Sequence, residues 1–225
     1  MGRIREMAEQ CWSGVVEPYT LWAPTGATEE IAPGVFFLHA FANVTVIRAG
    51  DGVVLIDTSS QAARARTFAA VRAIDPAPVR AAIYTHGHAD HAFGLPPFLA
   101  EAMEKGWPRP RIVAHRDVAA RFDRYRATAG YNGLINARQF SRPSTWPSEY
   151  VYPDTTYERT LRFEADGLAL ELEHARGETD DHTWTWVPKR RVLCCGDFFI
   201  WASPTPATRR RCSVTPGSGP PRCAG

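Results

Sequence analysis

Thr85-His86-Gly87-His88-Ala89-Asp90-His91 is the stretch on which the reading of this chain turns. His86, His88, Asp90 and His91 place four metal-competent side chains within six residues, directly after the apolar run VRAAIYT. Imidazole nitrogen and carboxylate oxygen suit Zn²⁺, and Fe or Mn to a lesser degree. Alternate residues of an extended segment lie on one side of it. His86 and His88 can therefore reach the same ion. Asp90 and His91 follow where a helix starts, and turn toward a second ion. Gly87 and Ala89 are small enough for the backbone to curl tightly around metals. The bland alternative is a polar loop that happens to be rich in histidine.

Outward from this loop the chain alternates regular elements. Residues 79–86 form a buried strand ending at the histidines. Upstream, 34–40, 43–49 and 52–58 read as strands, the last two joined by a hairpin turn at Gly50-Asp51-Gly52. Ser59 or Ser60 caps a helix running to Ile74, with apolar positions at Ala62, Ala65, Phe68, Ala69 and Ile74. Downstream, a helix over 95–105 stops at Gly106-Trp107-Pro108, and 111–115 is a strand followed by a helix to Ala127. Residues 128–156 show no periodicity and read as a long loop. Their aromatics (Tyr131, Phe140, Trp146, Tyr150, Tyr152) argue against disorder. Strands resume at 159–164, 168–174, 183–187 and 191–196. Strands, then strand–helix alternation, then strands again predict two sheets with helices outside.

Composition bounds the rest. A chain of 225 residues can bury one substantial core. The net charge of +2 misleads, because Arg209, Arg210, Arg211 and Arg222 sit in a segment from Ser203 that has no acid. Without those four, 22 basic residues face 24 acidic ones, so the body offers no basic face for nucleic acid. No run reaches the roughly 18 apolar residues of a membrane span. The N-terminus has no apolar signal core, which points to a cytoplasmic protein. Five cysteines, two of them adjacent (Cys194 and Cys195), do not form a disulfide framework. The expected organisation is an irregular segment over 1–30, one domain over 31–203 and a disordered tail over 204–225, whose prolines and glycines leave little to build a core.

The loop resembles the H-x-H-x-D-H signature of the metallo-β-lactamase superfamily, and the likeness runs over about residues 30–204. It implies an αββα four-layer sandwich, incomplete at the C-terminal half. GVVLIDT resembles the family strand whose aspartate, here Asp57, supports the metal loop from behind. Where most of the family has a third histidine, HARGETDDHTWTWV carries Glu178, as in the alkyl sulfatase branch. Its bland reading is a solvent-facing acid beside Asp180 and Asp181. His174 and His182 are rivals as ligands, but both read first as residues that support the ligands or the fold. VLCCGD ends at Asp197, resembling the strand-end aspartate that can bridge two metals. His115 reads as a pocket-wall or core residue and His39 as structural. The metal ligands implied are His86, His88 and Glu178 for one Zn²⁺, and Asp90, His91 and Asp197 for a second.

RFDRYRATAGYNGLINARQF (121–140) resembles the place where alkyl sulfatases hold the sulfate group, with Asn132, Asn136 and Arg138 as candidates. The alternative is a structural loop with solvated arginines. The function implied is hydrolysis of small esters such as alkyl sulfates by a metal-activated water, oriented by the catalytic residues Asp90 and Asp197. Other substrates of this fold are lactones, thioesters, β-lactams and phosphodiesters, and a catalytically impaired remnant is the third reading. Full-length relatives are implied to be homodimers. The family also has a late glycine-flanked histidine, yet none follows Asp197. The tail after Pro204 does not resemble the family continuation and reads as a frameshift, with residues 205–225 out of frame. A second ion lacking that histidine is expected to bind weakly, and the chain to be poorly active or unstable.

Overall fold

The computed structural model describes residues 2–15, 24–141, 143 and 146–198. The tail from 199 onward lies outside them, so the frameshift and disorder expected there concern residues the structure does not describe. Two sheets lie at the centre. The larger has seven strands in the order β1 (Thr28–Ala32), β2 (Val35–Leu38), β3 (Val44–Ala49), β4 (Gly52–Ile56), β5 (Val79–Ile83), β6 (Arg111–His115) and β7 (Thr155–Tyr157). Strands β1 to β4 run antiparallel, and β4 to β7 are parallel. The smaller sheet is antiparallel throughout, with β8 (Thr160–Ala165), β9 (Leu168–His174), β10 (Thr183–Val187) and β11 (Val192–Cys194) in the order β11-β10-β9-β8.

Side-chain alternation explains how the layers stack. Val44, Val46, Val53, Leu55, Ala82, Tyr84, Ile112 and Ala114 face one way from the larger sheet. They pack on Val71 of α2 (Arg64–Ile74), Phe98 of α4 (Pro96–Glu104), and Val118 and Phe122 of α5 (Asp117–Ala127). The intervening residues Ile47, Val54, Ile56, Ala81, Ile83 and Val113 point to the opposite face. There they meet Phe163, Leu168, Leu170, Leu172 and Val187 of the smaller sheet. Period-two strands buried on both faces give this unbroken apolar character. The far face of the smaller sheet alternates to exposed Arg162, Glu164, Ala169 and Glu173. The order is thus helices, sheet, sheet: three of the four layers of an αββα sandwich among the described residues. No helix among those residues is long and apolar enough to cross a membrane.

Three expectations need correction. Residues 128–156 are not all loop, because Ala129–Phe140 forms a helix, α6. Gly133 is its only buried residue, and Tyr131, Leu134, Ile135 and Phe140 are exposed. A helix that buries almost nothing carries no 3.6-residue stripe for periodicity to detect. The N-terminal stretch is not wholly irregular either. It holds α1 (Arg3–Trp12), and β1 opens at Thr28, ahead of the expected domain start. The helix capped by Ser60 begins as a 3-10 turn, Gln61–Ala63, before α2; the Ser60 hydroxyl accepts the Ala63 N–H at 3.2 Å.

Candidate metal centre

β4 and β5 end side by side, and both chains leave the sheet toward the same edge. Asp57, the first residue past β4, takes a left-handed turn (φ 59°), a conformation aspartate tolerates better than most residues. Its carboxylate then meets the loop after β5. Oδ1 accepts the Thr85 N–H and Oδ2 accepts the Thr85 hydroxyl, each at 2.8 Å, while His91 Nδ1 donates to Oδ2 at 2.7 Å. One carboxylate thus fixes the start of the histidine loop and the tautomer of His91. Thr58 adds a second clamp: its N–H and hydroxyl both donate to the His91 carbonyl, at 2.7 and 3.1 Å. Gly94 is required here, since a Cβ on it would lie 1.8 Å from the Thr58 carbonyl oxygen.

Two donor groups result. His86, His88 and Glu178 form one, and His86, His91 and Asp197 the other; within each, the potential ligand atoms lie within 4.8 Å of one another. Glu178 Oε2 is 3.1 Å from His88 Nδ1 and 3.6 Å from His86 Nε2. Asp197 Oδ2 is 3.5 Å from His91 Nε2, and Asp90 Oδ2 stands 3.8 Å from the same nitrogen. The short helix α3 (Ala89–Ala92) carries Asp90 and His91 together. His86 Nε2 is buried without a hydrogen-bond partner among the described residues. An orphaned polar atom in a folded core is costly, and a cation at this point would satisfy it. The residues present therefore fit a metal ion.

Electrostatics agree with that fit. Burial, with positive neighbours including His91, drives the His86 pKa well below the usual histidine value, so the ring is neutral and able to ligate. Burial opposes charge on Glu178, yet His86 and His88 outweigh it and hold the carboxyl far below its ordinary range. Burial likewise opposes charge on His91, but Asp57, Asp90 and Asp197 raise its pKa well above the usual value. Three carboxylates around one imidazole leave negative potential that a cation would neutralise.

A sequence profile of the Metallo-beta-lactamase superfamily matches residues 40–216. The chain belongs to this superfamily. It is similar to a linear primary-alkylsulfatase of Pseudomonas sp., with 25% identity over 167 residues. That alignment takes in 66% of this chain and 31% of the relative, so the chain spans less than a third of that enzyme's length. Two solved structures share the fold. One is the stereoselective inverting sec-alkylsulfatase Pisa1 from Pseudomonas sp. (TM-score 0.59, 19% identity, 75% of this chain and 30% of that one). The other is the metallo-β-lactamase GOB-18 from Elizabethkingia meningoseptica (TM-score 0.57, 19% identity, 76% and 62%).

Within this metallo-β-lactamase framework five of the six expected metal residues fall in the two donor groups, and Asp90 belongs to neither, its carboxylate standing beside His91. Asn132, Asn136 and Arg138 stand instead on α6; Arg138 is exposed, and the Asn132 amide donates to Thr128 Oγ1 at 2.9 Å. His115 and His174 stack on each other with ring centroids 3.9 Å apart, and His115 Nε2 donates to the Glu158 carbonyl at 3.0 Å. Thr25 Oγ1 and His39 Nδ1 are 2.9 Å apart. Sequence reasoning missed Arg121 and Asp181. Arg121 Nε donates to Asp181 Oδ2 at 2.7 Å, and the same oxygen accepts the Gly87 N–H at 3.1 Å. The Thr179 hydroxyl donates to Asp181 Oδ1. Asp181 is fully buried. It ties the loop carrying His86 and His88 to the loop carrying Glu178. A run of two acids, Asp180-Asp181, reads as solvated surface unless the arginine that buries one of them is known.

Proposed function

We propose that this chain is a metal-dependent hydrolase, with Zn²⁺ as its ion, acting on small anionic esters of the alkyl sulfate class. The observation that carries the reading is the convergence of the ligand atoms of His86, His88 and Glu178, and of His86, His91 and Asp197, within 4.8 Å. In this reading His86, His88 and Glu178 hold one ion, and Asp90, His91 and Asp197 a second. His86 offers one free nitrogen and can serve only one ion at a time. The second set then has a single nitrogen, and its ion is the weaker. When bound, such ions lower the pKa of water toward neutrality and offset negative charge on a leaving group. The chain's own part is positional. Asp90 and Asp197 flank the His91 Nε2 side of the cluster, where their carboxylates orient a water and accept its proton. Asp57 engages Nδ1 and so turns His91 Nε2 toward the cluster. Arg138, with Asn132 and Asn136, is the candidate for binding the ester's anionic group, because a guanidinium fork can contact two oxygens of a tetrahedral anion.

Metal analysis of the purified chain, joined to hydrolysis rates for dodecyl sulfate, a lactone and nitrocefin, tests both parts. Retained zinc with preferential release of sulfate is expected. A folded chain that retains no metal refutes the hydrolase reading. Retained metal with turnover of the lactone or nitrocefin alone refutes the substrate class. Retained metal with no turnover of any of the three makes the chain a metal-binding protein without catalysis.

A further inference from the structure

His182 is fully buried and belongs to neither donor group, yet it touches both. Its ring stacks on His86 with centroids 4.4 Å apart and planes 18° from parallel. Its Nε2 lies 3.1 Å from the Asp197 backbone nitrogen and accepts that N–H. Two glycines make room for the ring. A Cβ on Gly196, which sits at φ +52°, would lie 2.9 Å from His182 Nε2, and a Cβ on Gly177 would lie 2.7 Å from Nδ1. Phe198 closes on the ring at 4.3 Å. The main chain is held as firmly, since the His182 carbonyl accepts His174 Nδ1–H at 2.9 Å and the Ala175 N–H at 3.3 Å.

These contacts fix the tautomer. An Nε2 that accepts leaves the proton on Nδ1, and Nδ1 is buried without an acceptor among the described residues. A surface or core histidine has no need of so unfavourable an arrangement. A charged ring would set Nε2–H against the Asp197 N–H, so the contact requires the neutral ring. We propose that His182 is a positioning residue for the His91–Asp197 donor group: its Nε2 anchors the Asp197 main chain, and its ring, stacked on His86, keeps the two groups in register. The inference rests on reading the cluster as a metal centre.

Two variants separate the acceptor from the ring. His182→Phe keeps an aromatic face against His86 and loses the acceptor. His182→Gln places an amide oxygen near the position of Nε2 and loses the stack. Stepwise titration of the metal-free chain with cobalt(II), followed by visible absorption, reads the two ions separately without turnover. The expected result is that H182F weakens the second cobalt at least tenfold, on the order of the 10–100-fold effect of losing a ligand's supporting partner, while the first changes less than about twofold. H182Q regains most of the second-ion affinity. Wild-type affinity for both ions in H182F overturns the proposal, as does loss of the second ion in a folded H182Q. If H182F does not fold, H182Q alone decides. Failure of the unaltered chain to bind any cobalt overturns the metal-centre reading and this inference with it. Binding of one cobalt only by the unaltered chain overturns this inference and leaves the first ion's site standing.

Discussion

Replacing Arg121 with leucine removes the cation that lets Asp181 stay charged inside the protein. The Arg121 side chain is 9% exposed and Asp181 0%, so solvent cannot take over the pairing. Breaking a buried pair from one side costs about 3–5 kcal/mol. Asp181 keeps the Gly87 N–H and the Thr179 hydroxyl as donors, which puts R121L near the lower end. At about 3 kcal/mol a chain of this size loses roughly 6–12 °C of melting temperature. The pH dependence follows from the direction of the Asp181 shift. Burial raises its pKa, but Arg121 outweighs burial and the net effect is a lowering below 3.8. A carboxyl with a depressed folded pKa contributes its stability above the unfolded value and loses it as pH falls through the folded one. The gap in melting temperature between wild type and R121L should therefore be full near neutrality and narrow below about pH 4. Circular dichroism melts of the metal-free proteins in chelator measure it. Because Asp181 also holds Gly87, between His86 and His88, the variant should bind cobalt about 10–100-fold more weakly. The double change R121L/D181L removes both charges and should recover part of the melting temperature but not the metal affinity. A melting temperature within about 2 °C of wild type, where the buried-pair cost predicts several degrees, together with unaltered cobalt binding in R121L would refute the bracing role.

Asp57→Asn keeps the shape of the side chain, but an amide nitrogen in the place of Oδ2 donates and accepts neither the Thr85 hydroxyl nor His91 Nδ1–H; a loss of metal affinity of about 10–100-fold is expected in a competition assay with a chromophoric chelator. Gly94→Ala drives a Cβ into the Thr58 carbonyl, backbone against backbone, so denaturant unfolding should show a loss of about 3 kcal/mol, the upper end of an overpacking cost; a midpoint equal to wild type would mean that the clamp on His91 is loose. Adding zinc to the chelator-stripped chain should raise its melting temperature in a dose-dependent way, by the equivalent of about 4 kcal/mol at a free concentration a thousandfold above the dissociation constant. Calorimetric melts that do not move with zinc would show that the cluster does not hold that ion.

The elements legible from the sequence are those that bury a full side-chain pattern. Residues 44–49 and 52–56 carry apolar groups to both faces of the larger sheet, and 168–174 alternates between core and solvent. Each pattern records its environment residue by residue. The helix α6 escaped because Gly133 is its one buried position; nothing in its polarity records which face is inside. Strand ends were read too long for a related reason. Val54, Leu55 and Ile56 are buried in the sheet, and Asp57 and Thr58 are buried just beyond it, so apolar content and burial continue while the φ of +59° at Asp57 has already ended the strand.

The site divides along the same line. Ligand-type residues announce themselves by chemistry, because few other uses put imidazoles and carboxylates at two- and three-residue spacing after a strand. What orients them is chemically ordinary. Arg121 lies 60 residues from Asp181 and is common enough in a soluble protein to carry no signal until the fold closes the distance; His182 stands out as a metal-competent side chain, but the backbone N–H it accepts lies 15 residues away and only the fold reveals it. The glycines make the point most sharply. Gly87, Gly94, Gly177 and Gly196 each leave a gap that a methyl group would fill with Asp181, Thr58, His182 or Thr85. A composition count weighs them equally with the glycines at 106 and 167, where a Cβ would meet nothing within 4 Å among the described residues. The precision of a metal centre therefore rests on contacts made by the least informative letters of the sequence. A search for further members of this site should weigh the spacing of those glycines together with the histidines.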